Sequence, residues 1–183
     1  YIYTKGITPF AASVAVEAAF KDISGNGFAD FEIISPHGET VFSEKRAIFE
    51  SIIKITADIP NAQLWFPTGY GEQPLYQLKI TANGKESITE FGIRKVDILE
   101  IDDNFNPEYK AKAEKLKKNP HLLENDRNEK TSVFWLVING VRIFCQGGNW
   151  VPCDPFVSEE TDKKIKSLVQ SAHECGYNML RVW

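Results

Sequence analysis

Between residues 1 and 101 the chain is a succession of short β-branched and aromatic runs, each closed by a turn signal. The runs are Ala12–Phe20, Phe28–Ser35, Ile48–Ile55, Leu75–Ala82 and Ile88–Ile101. Phe31, Ile33 and Ser35 share one parity, with Glu32 and Ile34 on the other, which is the period of two expected of a strand. Ser24-Gly25-Asn26-Gly27, Pro36-His37-Gly38, Asp58-Ile59-Pro60-Asn61 and Asn83-Gly84 read as the intervening turns. Asn83-Gly84 is the strongest of these signals, because a two-residue hairpin turn needs residues that tolerate positive φ. Many short strands at this spacing predict an antiparallel, immunoglobulin-like β-sandwich over residues 1–101.

Composition removes other classes. A chain of 183 residues buries roughly 70% of its unfolded surface and needs no disulfide or metal staple. With 43% hydrophobic and 25% charged residues, wholesale disorder is excluded. A net charge of -4 and a pI near 5.5 argue against a nucleic-acid or anionic-membrane partner. No apolar run approaches the roughly 20 residues of a membrane span. Cys145, Cys153 and Cys175 contain no C-x-x-C pair, and His37, His121 and His173 lack ligand spacing. The expectation is therefore no metal and no cofactor. The first residue is Tyr1 rather than Met, which leaves room for a leader or a domain upstream.

The pattern changes twice. Residues 102–131 are polar: Tyr109–Lys118 is built of helix formers stopped by Pro120, and Glu124–Lys130 is charged. This reads as a solvated linker or insertion. In residues 132–183, Val133–Ile138, the turn Asn139-Gly140 and Val141–Cys145 read as a second hairpin. Gly147 and Gly148 open an expected loop to about Val157. A helix is expected from about Glu159 to Glu174, with Ser158 as N-cap and Glu159, Glu160 and Asp162 in its first turn. Ile165, Leu168, Val169 and Ala172 make one apolar stripe, and Gly176 is the natural C′ residue. Asn178–Trp183 reads as a closing strand.

Strand, helix and strand in this order form a unit that feeds a parallel sheet. One such unit cannot cover both faces of its strands, so the chain is expected to be cut inside a larger α/β domain. The loop Gly147-Gly148-Asn149-Trp150 lacks the third glycine of a dinucleotide fold, and no Gly-Lys-Ser/Thr marks a P-loop. A (β/α)8 barrel remains, in which strand ends and the loops after them carry function. Trp150 and Asp154 lie in such a loop. Arg181 and Trp183 share parity at the end of the next strand. Flat aromatic faces and charged hydrogen-bonding groups suit a sugar. The competing reading is that the tryptophans are core and Arg181 pairs with a carboxylate.

Four blocks resemble glycoside hydrolase family 2. Leu64-Trp65-Phe66-Pro67-Thr68-Gly69-Tyr70-Gly71-Glu72-Gln73-Pro74-Leu75-Tyr76 resembles the signature of that family's sandwich domain, and Phe91-Gly92-Ile93-Arg94 the segment that closes it. Ile138–Phe144 with Gly147–Phe156 resembles the start of the family's barrel. Asn178-Met179-Leu180-Arg181-Val182-Trp183 is similar to the β-mannosidase branch. Residues 1–63 match in pattern only. The resemblance implies three regions: an immunoglobulin-like sandwich over 1–101, a charged linker over 102–131, and the first β-α-β elements of a catalytic barrel over 132–183. It implies a retaining hydrolase acting on a terminal β-mannoside, with Trp150, Asp154, Arg181 and Trp183 lining the sugar pocket.

The resemblance also implies two catalytic glutamates on later barrel strands, outside this chain. Asn128-Glu129 copies the acid/base dipeptide but sits in the charged linker with no apolar strand around it. The chain alone is thus expected to be inactive. Gly148 and Cys153 stand where the family usually has alanines, Pro155 after Asp154 is unusual, and the 102–131 insertion is long. A sheet edge and helix stripe without neighbours predict a disordered end, or self-association. The residues name no compartment; the resemblance fits a periplasmic, secreted or lysosomal one. The alternative function is a non-catalytic structural or carbohydrate-binding sandwich module of another polysaccharide enzyme. A third is an adhesion-type immunoglobulin-like domain, against which the β-α-β unit argues.

Overall fold

The computed structural model describes residues 1–21, 27–102, 132–154 and 161–183. They divide into two compact units, Tyr1–Lys95 with Cys145–Trp183, and Val96–Phe144. In the first unit, β1 (Ile2–Ile7), β2 (Ala11–Ala19) and β5 (Ile52–Pro60) form one antiparallel sheet in the order β1-β2-β5. β3 (Gly27–Ile34), β4 (Thr40–Ile48), β6 (Tyr76–Ala82) and β7 (Lys85–Phe91) form a second, in the order β4-β3-β6-β7.

Alternation decides what is buried. Ile53, Ile55, Ala57 and Ile59 of β5 are buried while the residues between them are exposed. Ala29, Phe31 and Ile33 of β3 and Val14 and Val16 of β2 join them in one apolar cluster with Tyr76, Leu78 and Ile93. Two sheets sharing one core make the expected antiparallel sandwich. The Asn83-Gly84 turn has φ of 51° and 72°, the left-handed geometry that joins β6 to β7 in two residues.

Some strand limits differ from expectation. The single expected strand Ile48–Ile55 is the end of β4 and the start of β5. Asp58–Pro60, expected in a turn, completes β5, and the backbone turns at Asn61 with φ of 48°. The expected strand Ile88–Ile101 is two strands. Residues 92–95 leave the β6 ladder because Gly92 backs onto Trp65: a Cβ there would lie 2.8 Å from the Trp65 ring. Ile93 is buried, its carbonyl accepts the Trp65 N–H at 2.9 Å, and the Arg94 N–H donates to Thr4 Oγ1 at 3.1 Å. The Arg94 guanidinium lies 4.4 Å over the Trp65 ring. The two sandwich blocks singled out in the sequence therefore meet around one half-buried tryptophan. Tyr76 is buried, and its hydroxyl accepts the Gln63 N–H at 2.9 Å. The polar end of the ring is thus paired inside the scaffold.

On the outer face, Lys79 of β6 reaches Glu32 of β3 and Glu86 of β7, each at 3.3 Å. The hydrogen bonds that Lys79 donates to Glu86 and to Glu32 raise the Lys79 pKa above the ordinary lysine value. A raised pKa gives stabilisation that is complete below the unfolded-state value and lost as pH rises through the folded one. Lys79→Met should therefore lower the melting temperature slightly at pH 8, and the deficit should close above the lysine range. A deficit unchanged at high pH would contradict the ion-pair account.

The second unit holds β8 (Val96–Asp102), β9 (Ser132–Ile138) and β10 (Val141–Ile143), antiparallel in the order β10-β9-β8. Asn139-Gly140, with φ of 52° and 81°, makes the expected hairpin between β9 and β10. β8 pairs with β9 from Val96↔Ile138 to Asp102↔Ser132. Ile138 and Ile143 are buried, and the Arg142 guanidinium lies 5.5 Å over its diagonal neighbour Trp135. The expected helix Tyr109–Lys118 and the Asn128-Glu129 pair lie outside the described residues. Among the described residues, no helix is long and apolar enough to cross a membrane.

Candidate functional site

Residues Gly147–Trp150, expected as the start of a loop, form a strand, β11. It pairs in parallel with β12 (Met179–Val182) across helix α1 (Asp162–Glu174). This is a β-α-β unit whose first strand is β11, not the hairpin strand before it. Periodicity missed β11 because two glycines carry no side-chain pattern. Packing explains Gly147: a Cβ there would sit 1.8 Å from the Met179 carbonyl oxygen. At Gly148 a Cβ would meet the Tyr177 ring at 3.6 Å, an ordinary contact.

Helix α1 starts later than expected. Its N-cap is Thr161, not Ser158: the Thr161 backbone is extended and its hydroxyl accepts the Lys164 N–H at 3.3 Å. Ser158, Glu159 and Glu160, with Pro155, lie outside the described residues. The helix ends as expected at Gly176, with φ of 79°. The Gly176 N–H donates to His173 O, and the Tyr177 N–H to Ala172 O at 3.0 Å, a Schellman closure. The chain then turns directly into β12: the Asn178 N–H donates to Gln146 O, and the Gln146 N–H to Asn178 Oδ1, both at 2.9 Å.

The register sorts the candidate residues. Asn149 pairs with Arg181, and Trp150 with Val182. Partners in a parallel ladder point to the same side, so Asn149, Arg181 and, by alternation, Trp183 share one face. Trp150 belongs to the other face, with Leu180 and Val182. Arg181 Nη1 donates to Asn149 Oδ1 at 3.2 Å, and the Trp183 N–H donates to Trp150 O at 3.0 Å. Trp183 is 79% exposed, whereas Trp150 and Asp154 are half-buried. Asp154 follows β11 and is paired to Lys164 of α1, Oδ2 to Nζ at 2.8 Å. The strand end thus presents a guanidinium and an indole on one side and a second indole on the other. That set can stack on a sugar face and hydrogen-bond hydroxyls. Asn149 escaped the sequence reading, although its place two residues after Gly147 could have shown it once β11 was known to be a strand. Among the described residues, no group of three or more His, Cys, Asp or Glu could hold a metal ion.

Known proteins resemble the chain in sequence and fold. No family model matches the chain. Beta-mannosidase B of Emericella nidulans is 25% identical over 165 residues, covering 87% of this chain and 17% of that protein. Beta-mannosidase B of Aspergillus clavatus is 22% identical over 199 residues, covering 100% of this chain and 21% of that protein. The crystal structure of Beta-D-Mannosidase from Dictyoglomus thermophilum matches 100% of this chain and 20% of that chain, with 25% identity and a TM-score of 0.72. Over most or all of its length the chain is similar to β-mannosidases. It spans about a fifth of the length of the relatives it matches. A Bacteroides uniformis beta-glucuronidase, 15% identical with a TM-score of 0.68 over 100% of this chain and 20% of that chain, shares the fold.

Proposed function

We propose that this chain is the sandwich and the first barrel elements of an exo-acting β-mannosidase-like hydrolase. The observation that carries the reading is the likeness to the Dictyoglomus thermophilum β-mannosidase over the whole of this chain, β11-α1-β12 included. Trp150, Arg181 and Trp183 contribute to the sugar pocket from the ends of β11 and β12, and Asp154 from the segment after β11. The chemistry is retaining hydrolysis of a terminal β-linked mannose. It needs two carboxyl groups about 5–5.5 Å apart across the scissile bond. The described carboxylates of the β-α-β unit do not suit that role. Asp154 is bonded to Lys164, Asp162 opens α1, and Glu174 closes it, bonded to Gln170. The acid/base and the nucleophile are assigned to glutamates outside this chain.

The exposed Leu168 and Val169 of α1, with Val182 of β12, support the packing of further barrel elements on this unit. Without them the same surface favours self-association, read as a dimer by light scattering.

The test is turnover of an aryl β-mannoside. A full-length protein carrying this chain should hydrolyse it, and the 183-residue chain should not. Trp183→Ala in the full-length protein should lower kcat/KM roughly ten- to hundredfold. Turnover by the chain alone, abolished by Asp154→Asn, would overturn the assignment of the chemistry.

A further inference from the structure

In the sandwich, β1 and β7 are edge strands, each paired on one side only. After β7 the chain crosses toward β1, where the Arg94 N–H donates to Thr4 Oγ1 at 3.1 Å. Along the rest of β7 a groove of about 810 Å3 lies between the two sheets. That volume falls within the roughly 300–1,000 Å3 of small-ligand sites. Its floor is the half-buried Ile2, Phe20, Ile80, Ala82 and Phe91, packed on the apolar core. Alternation along β7 turns Lys85, Ser87 and Thr89 to this side, opposite Ala82, Ile80 and Leu78.

Charge decides what such a groove accepts. Three carboxylates line it, and each is engaged: Glu17 with Lys54 at 2.9 Å, Glu86 with Lys79 at 3.3 Å and Glu90 with Gln77 at 3.4 Å. The Tyr1 ammonium on the other rim donates to the Glu17 carbonyl at 2.6 Å. Lys21 and Lys85 also line the groove, and their side chains have no ionic partner among the described residues. Both stand at one end of it. Lys85 opens β7 opposite Ala82, the last residue of β6, and Lys21 follows Phe20, whose ring lies edge-on to Phe31, the residue opposite Ile80.

We infer that the groove binds a single-chain anionic amphiphile, a long-chain carboxylate. Its head group meets the Lys21 and Lys85 ammonium groups, and its alkyl chain lies on the apolar floor toward Phe91. The run of β7 from Lys85 to Phe91 is about 20 Å long at about 3.4 Å per residue, which suits an extended chain. A cationic amphiphile would cover the same floor but would be repelled by the two lysines. None of these residues belongs to β11, α1 or β12, so the inference is independent of the sugar-pocket reading.

Titration calorimetry of the 183-residue chain with decanoate tests it. Decanoate should bind at least tenfold more tightly than decyltrimethylammonium, and octanoate roughly tenfold more weakly than decanoate. Equal binding of the anion and the cation would overturn the assignment of the head group. Equal binding of the two carboxylates would overturn the buried chain. Lys85→Glu and Lys21→Glu, at solvent-exposed positions, should each weaken decanoate about tenfold, whereas Lys85→Arg should keep the affinity. In NMR spectra of the wild type, the amides of Ala18, Ile80 and Ser87 should shift as decanoate is added. Shifts confined to other residues, or wild-type affinity in both folded glutamate variants, would overturn the site.

Discussion

Gly147→Ala should cost about 3 kcal/mol or more and uncouple β11 from β12. The added Cβ would meet the Met179 carbonyl oxygen at 1.8 Å, and the obstacle is backbone, not a flexible side-chain tip. Overpacking of this kind costs about 1–3 kcal/mol where neighbours can shift, and more where they cannot. Here relief means moving one strand off the other. The amides of Asn178 and Trp183, which donate to Gln146 and Trp150, should then lose protection from hydrogen exchange. Gly148→Ala supplies the control, because its Cβ would rest 3.6 Å from Tyr177. Equal protection in the two variants would show that the close approach is not what holds the strands.

Phe31→Ala should destabilise the sandwich by about 3–5 kcal/mol, a large share of the roughly 5–15 kcal/mol of a typical domain. Phe31 is fully buried in β3, between β4 and β6, with the Phe20 ring edge-on at 6.5 Å. Its loss removes apolar area and leaves a cavity that paired strands on either side cannot close. Phe28, three residues earlier, is 53% exposed under Lys45, and its removal should cost less than about 1 kcal/mol. Chemical denaturation of both variants separates the cases. Similar midpoints would mean that the core does not centre on Phe31.

The sandwich was legible where one side of a strand faces the core, because burial then writes a period of two into the residues. Asn83-Gly84 and Asn139-Gly140 were legible because few residues tolerate their backbone geometry. The break at Gly92 was not, since what interrupts the run is the Trp65 ring arriving from elsewhere in the chain. β11 was hidden for a related reason: glycines chosen for close strand approach look like loop residues. The helix start was misplaced because Ser158 and Thr161 are both acceptable caps by composition, and local backbone geometry selects Thr161. Parity groups Arg181 with Trp183, and the register adds Asn149 opposite Arg181. Trp150 was not recognised as facing the other side, because that depends on register with Val182.

The pairing of Asp102 with Ser132 gives the chain a permissive splice point. Registered antiparallel residues have Cα atoms about 4.5–5.5 Å apart, so whatever sequence joins these two leaves and returns at nearly one place. Once such ends are held by a ladder, lengthening the connection is cheap: each doubling adds only about 0.6 kcal/mol of closure entropy. A long charged stretch can therefore occupy this position without taxing the sheet beneath it. Shortening it to a tight turn, or replacing it with a folded module whose termini lie close together, should leave the β8-β9-β10 pairing intact. Such a position is where a lineage can gain or lose sequence freely, and where a reporter or affinity domain can be grafted.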